Sequence, residues 1–341
     1  MNRLKNNLVV VALCLLCLIV MAVFYISGGF LGKSRSEETD NNDHLIMVGI
    51  SQLGSESVWR TANTESVQQA LSKENGYFPI FNNARQNQEN QIKAIRGYIS
   101  QKVDYIVFAP VTETGWDTVL MEAKNAGIPV ILMDRTVDVE DDSLYVTRVG
   151  SDMHEEGKKA GMWLEEELRD KGRFDEDINI VILTGNKGSS AEIGRTGGFA
   201  EIKNKHKNWH VLEEVDADFT TSKGKEEMRR LLAKYSDIDV VVSQNDDMTF
   251  GALEAIRDAG KTTGDGGDIV IISFDSCKEA LELVRDGIIN VDIECNPLQG
   301  QYISDVIKAL ERGEEIRKEY IVDENVFTKS NVEGYINDRT Y

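Results

Sequence analysis

Residues 45–60 read LIMVGISQLGSESVWR. The first seven are almost uniformly apolar with β-branched residues in the middle, the pattern of a short strand buried on both faces. Small polar residues then break the run, and Glu56, Trp59 and Arg60 follow within five positions. A doubly buried strand belongs to a parallel sheet covered by helices, and in such sheets ligands sit beyond the C-terminal ends of the strands. An anion, a flat ring and a planar cation just past the first strand therefore suggest both a fold and the place of a site.

The same alternation continues to the end of the chain. Strand-like runs occur at Phe78–Phe81, DYIVFAP, IPVILMD, INIVILTG, WHVLEEV, DVVVSQ, IVIISFD and INVDIE, with amphipathic helical stretches between them. Such a chain is α/β, and the βα units are too many for one comfortable sheet, so two doubly wound parallel-sheet lobes are expected.

The N-terminus differs from the rest. Arg3 and Lys5 precede an uncharged run from Leu8 to Phe30, about long enough to span a bilayer as a helix. Basic residues on its N-terminal side place the remainder outside the membrane. Residues 1–31 read as a membrane anchor or signal segment and 32–44 as a polar tether. Leucines precede Cys14 and Cys17 where a lipoprotein needs a small residue, which favours a retained anchor over a cleaved one. The formal charge of -20 over 341 residues argues against nucleic acid. Cys277 and Cys295 are too few for a disulfide framework, although they could pair. The sequence suggests no metal site and no cofactor: the four histidines are scattered, and neither GNKGSS nor GDGG has phosphate-loop or dinucleotide spacing.

Polar residues with recognition chemistry gather after the strands: Glu56, Trp59 and Arg60; Asp134 and Arg135; Glu192 and Arg195; Asn245, Asp246 and Asp247; Asp275; Glu294, Cys295 and Asn296. Trp116 is a further candidate aromatic. Carboxylates and amides accept from a sugar hydroxyl while arginine donates to it, and an aromatic ring packs on the C–H face of a sugar. Each position also has a plainer reading as a helix cap, strand-end ion pair or core ring, and their recurrence favours a neutral polyhydroxylated ligand. Paired carboxylates leave a glycosidase open, but the chain carries no positive sign of an enzyme.

The stretches SQLGSESVWR, NQENQIKAIRGYI, FAPVTETGW, IPVILMDR, DFTTSKGKEEM and SQNDDMTFGALEAI resemble the type I periplasmic sugar-binding proteins of ABC importers, the ribose- and galactose-binding family, and most closely its galactofuranose branch. The resemblance implies sugar contacts from Arg60, Asp134, Arg135, Arg195, Asn245 and Asp275, with Glu56, Trp59 and Asp246 added by the branch and Glu294 at the last crossover. It implies three hinge strands near Gly150, Cys295 and Thr328, joining a first lobe of 45–150 plus 297–327 to a second of 151–295 plus 328–341. Lobes of this kind also serve dimeric repressors, but the apolar run stands where a DNA-binding segment would. The expected protein is an extracytoplasmic, membrane-tethered monomer that binds a monosaccharide, galactofuranose or a similar sugar, for an ABC permease. Partnership with a sensor histidine kinase is the alternative.

Overall fold

The computed structural model describes residues 45–341, which form one compact unit. Among these residues no helix is long and apolar enough to cross a membrane; the apolar run and tether expected at residues 1–44 lie outside them.

Strands β1 (Ile46–Gln52), β2 (Tyr77–Asn83), β3 (Tyr105–Phe108), β4 (Val130–Met133) and β5 (Thr147–Gly150) alternate with helices α1 (Val58–Ala70), α2 (Gln88–Gln101) and α3 (Asp117–Asn125). The chain then enters α4 (Met153–Asp170), β6 (Ile178–Thr184), α5 (Ser190–Lys203), β7 (Trp209–Asp216), α6 (Thr221–Lys234), β8 (Val240–Ser243), α7 (Asp246–Asp258), β9 (Val270–Asp275), α8 (Lys278–Arg285) and β10 (Val291–Glu294). It ends with α9 (Gly300–Glu311), β11 (Glu319–Ile321), β12 (Val326–Thr328) and α10 (Glu333–Ile336).

Two six-stranded sheets result, in the orders β11-β5-β4-β3-β1-β2 and β12-β10-β9-β8-β6-β7. Every pairing is parallel except that of β10 with β12. In both, the order reverses beside the lobe's first strand, the switch point where doubly wound folds open a crevice. The first sheet is sandwiched between clusters around Val107 and Ile303 and around Phe108 and Trp116. The second lies between clusters around Val241 and Leu281 and around Trp209 and Phe274.

The chain passes between the sheets after Gly150, after Glu294 and between Ile321 and Val326. The third crossing thus precedes Thr328, where the sequence reading placed it. Val326 and Phe327 already pair with Ile293 and Asp292 in the second sheet. Phe327 is fully buried there, which draws the strand into that lobe earlier than its polar flanks suggest.

Helices α4 and α5 pack with their backbones in contact. A Cβ on Gly157 would lie 2.2 Å from the Arg195 carbonyl oxygen, and one on Gly198 would lie 1.9 Å from that of His154. Both approaches are closer than any side chain allows. Gly198→Ala is expected to destabilise the protein by about 1–3 kcal/mol through overpacking, lowering the urea midpoint without changing the slope; an unchanged midpoint would contradict the contact.

Candidate functional site

The cleft between the two sheets is closed. The Glu113 amide donates to the Gly188 carbonyl at 3.1 Å and the Thr136 amide to Ser190 Oγ at 3.2 Å. Asn186 Nδ2 reaches Gln86 Oε1 at 3.1 Å. Asp247 Oδ2 accepts the Val58 amide, the first helical N–H of α1, at 3.0 Å. Asp247 thus caps a helix of the opposite lobe, and burial lifts its carboxyl to about 6. Trp59 crosses furthest: its ring joins the apolar cluster of the second sheet, and Nε1 donates to the Cys295 carbonyl at 2.6 Å.

Between these contacts lies a narrow pocket lined by Glu56, Ser57, Trp59, Arg60, Asp134, Arg135, Met153, Ala191, Arg195, Phe219, Asn245, Asp275 and Cys295.

Arg60 is held from three sides. Nη2 meets Asp134 Oδ2 at 2.7 Å, Nε meets Glu56 Oε1 at 3.2 Å and Nη1 meets Gln52 Oε1 at 3.3 Å, and the guanidinium lies 4.6 Å from the centre of the Trp59 ring. The α1 cap is Ser57, whose Oγ accepts the Arg60 amide. Glu56 is therefore free of capping duty, and its Oε2 is buried without a partner among the described residues. Arg135 has one hydrogen-bond anchor, Nη1 on the Val111 carbonyl at 3.0 Å; its Nε lies 3.9 Å from Asp134 Oδ2 and makes no hydrogen bond among the described residues. Burial, with Arg60 beside it, lowers this guanidinium to about 10, so it stays charged at neutral pH.

Arg195 faces them from the second lobe. Nε binds Glu156 Oε2 at 2.6 Å, Nη2 binds Asp275 Oδ1 at 3.2 Å, and Nη1 donates to the Gln244 carbonyl. A guanidinium has five N–H groups, so Arg60 and Arg195, each using three, keep donors for a ligand. Burial raises the Glu156 and Asp275 carboxyls despite the cation between them. Backbone strain concentrates here too. Asp134 (φ 64°), Phe219 (φ 54°) and Asp275 (φ 104°) take positive φ at or just past strand ends, a cost that folds tend to concentrate at functional sites.

Eight of the ten residues expected at the site line this pocket: Glu56, Trp59, Arg60, Asp134, Arg135, Arg195, Asn245 and Asp275. Asn245 also caps α7 through the Met248 amide at 2.9 Å. Asp246 and Glu294 do not line it. Asp246 turns beneath the sheet, accepting from Ser273 Oγ at 2.6 Å and the Cys277 amide at 2.7 Å. There burial and the neighbouring Asp292 raise its carboxyl well above the usual range. Glu294 binds Arg339 Nη1 at 2.7 Å and Asn325 Nδ2 at 2.8 Å, tying β10 to the C-terminus. Trp116 is a core ring, fully buried 5.0 Å from Phe108, with Nε1 on the Thr112 carbonyl. Glu192 closes its own helix start by accepting the Gly188 amide. Cys277 and Cys295 are both free and buried.

Phe219, Met153 and Ala191 are apolar lining residues that the search for polar strand ends passed over. Phe219 follows edge strand β7 and takes Arg135 of the other lobe 5.5 Å from its ring centre. The available signal was an aromatic residue set in the polar turn DFTTSKGK.

Two lobes closed on a buried, hydroxyl-recognising pocket define a receptor that encloses a small solute. The chain belongs to the periplasmic binding protein domain family, whose model matches residues 48–315. It is 42% identical over 255 residues to the galactofuranose-binding protein YtfQ of Escherichia coli K12, covering 74% of this chain and 78% of that one. It also resembles a Mycobacterium smegmatis protein solved in complex with β-D-fucofuranose, at 42% identity and a TM-score of 0.82, over 87% of this chain and 95% of the other. A third relative is the periplasmic binding protein component of the arabinose ABC transporter of Shewanella sp. ANA-3, bound to α- and β-L-arabinofuranose. It is 39% identical, with a TM-score of 0.80, over 86% of this chain and 95% of the other. The family and these relatives make the chain a binding protein rather than an enzyme.

Replacing Arg195 with Met strands Glu156 and Asp275 in the interior. Breaking one side of a buried ion pair is expected to cost about 3–5 kcal/mol. The missing cation lets both carboxyls rise further, so the deficit is largest at neutral pH and shrinks as pH falls and they protonate. Urea unfolding at pH 7.5 and pH 5 measures this, and an equal deficit at both would contradict it.

Proposed function

We propose that the chain is an extracytoplasmic receptor for a furanose monosaccharide, galactofuranose or the related fucofuranose or arabinofuranose. It closes on the sugar and delivers it to an ABC permease. The observation that carries the reading is the convergence of Arg60, Arg135 and Arg195 with Glu56, Asp134 and Asp275 on one narrow pocket. Each arginine keeps unused donors, and the carboxylates accept from hydroxyls. The three relatives described above, named or solved with furanose sugars, support the ring form. Trp59 and Phe219 supply apolar surface for a sugar's C–H face.

In this reading the opposed arginine sets hold the ligand from both sides, so binding and lobe closure are one event. The closed form is what a membrane partner recognises. The apolar run Leu8–Phe30 tethers the monomer to the outer face of the cell membrane. The absence of a small residue before Cys14 or Cys17 favours a retained tether, and a retained tether equally suits a sensor kinase as partner.

Calorimetry of the full-length protein against D-galactose, D-fucose, L-arabinose, D-ribose and D-fructose tests the reading. Saturable heat is expected with at least one of the first three. Asp275→Asn should weaken that binding by about tenfold or more, since it disturbs both an acceptor and the posture of Arg195. No heat with any of these sugars would overturn the reading.

A further inference from the structure

One carboxyl that the ligand reading leaves unused lies where the chain crosses between the lobes. Glu324 sits on the third crossing, and its Oε1 accepts from both others: from Ser151 Oγ on the first, and from the Asn296 amide on the second at 2.8 Å. Ser151 Oγ also lies 3.3 Å from Cys295 Sγ. A carboxylate oxygen of Glu324, the Cys295 sulfur and a carboxylate oxygen of Glu156 all lie within 4.8 Å of one another. Glu156 is fully buried, grips Arg195 at 2.6 Å with one oxygen and has no partner for the other among the described residues. Polar groups in close proximity therefore lead from the meeting point of the crossings to a pocket arginine, with Cys295 and Glu156 within 4.8 Å but not hydrogen-bonded.

We propose that Glu324 is a positioning residue for closure: its carboxyl ties the three crossings in their closed register and, through Cys295 and Glu156, fixes the posture of Arg195. The proposal rests on the reading of the cleft as a closing receptor. The charged and titratable groups facing Glu324 are Glu156 from α4, Cys295 from the second crossing and Arg195 from α5, while Lys159 Nζ of α4 binds its backbone carbonyl at 3.3 Å. Two carboxylates and a thiol this close share one nearby guanidinium, and like charges in a closed site do not both ionise cheaply. Burial first, and Glu156 second, lift Glu324 to about 9, so in the closed form it keeps its proton at neutral pH. Opening the crossings admits water, and the carboxyl falls toward its ordinary range.

The sign follows. The closed-state pKa exceeds the open-state one, so closure takes up a proton between the two. The closed form is favoured most below the open-state range and loses that advantage as pH rises through about 9. Asp247, held up at about 6, contributes uptake only at lower pH.

The test uses full-length wild type, Glu324→Gln and Glu324→Ala, titrated at pH 8 with D-galactose, D-fucose and L-arabinose in two buffers of different ionisation heat. The wild type should take up a measurable fraction of a proton on binding, and its affinity should fall from pH 7 to pH 9. Glu324→Gln keeps the acceptor oxygen without the titration. It should bind within about threefold of wild type at pH 8, take up clearly less proton than wild type and show a flatter pH profile. Glu324→Ala should bind about tenfold or more weakly; if it fails to fold, the Gln variant decides alone. Equal proton uptake by Glu324→Gln and wild type, or full affinity in a folded Glu324→Ala, would overturn the proposal alone. A wild type that binds none of the three sugars would overturn the receptor reading and this proposal with it.

Discussion

Arg195 is the constraint on which the second half of the cleft is built. Its guanidinium is buried and bonded to Glu156, Asp275 and the Gln244 carbonyl. Three elements must therefore arrive at one point: α4 with the glutamate, the end of β8 with the carbonyl and the end of β9 with the aspartate. The backbone contact of α4 with α5 at Gly157 and Gly198 sets the distance from which Arg195 reaches them. A charge buried this way stabilises little in itself, but loss of any partner is expensive. The arrangement thus buys precision of placement more than stability.

Arg60 is the counterpart in the first lobe, fixed by Glu56, Gln52 and Asp134. Arg135, with a single hydrogen-bond anchor and only a loose 3.9 Å ion pair to Asp134, is the most available of the three guanidinium groups. Trp59 belongs by sequence to the first lobe and by packing to the core of the second. Closure thus completes a hydrophobic contact at the same time as it assembles the polar pocket. The free energy of that contact is available only in the closed form, where it offsets part of the cost of closure.

Much of this was legible in the sequence because the physics is local. Doubly buried strands read as continuous apolar runs, and the strand-end rule then located most of the pocket lining without any contact map. It misassigned Asp246 and Glu294 because it fixes a position along a strand and not a direction. Asn245 and Asp246 are adjacent, yet the first lines the pocket and caps α7 while the second points under the sheet to Ser273 and the Cys277 amide. Glu294 and Cys295 diverge in the same way, one toward Arg339 and the other toward the pocket. Phe219 was missed because a search for hydroxyl-binding groups selects against apolar residues, although a sugar also presents an apolar face. The role of Glu324 depends on three crossings far apart in sequence, and nothing local to VDEN announces it.

The central claim is that the two arginine sets close on one furanose ring. A crystal structure of the protein grown with D-galactose, free to choose its ring form, tests it most directly. The account predicts a furanose held between Arg60 and Asp134 on one side and Arg195 and Asp275 on the other. A pyranose in that place, or sugar bound away from these four residues, would contradict it.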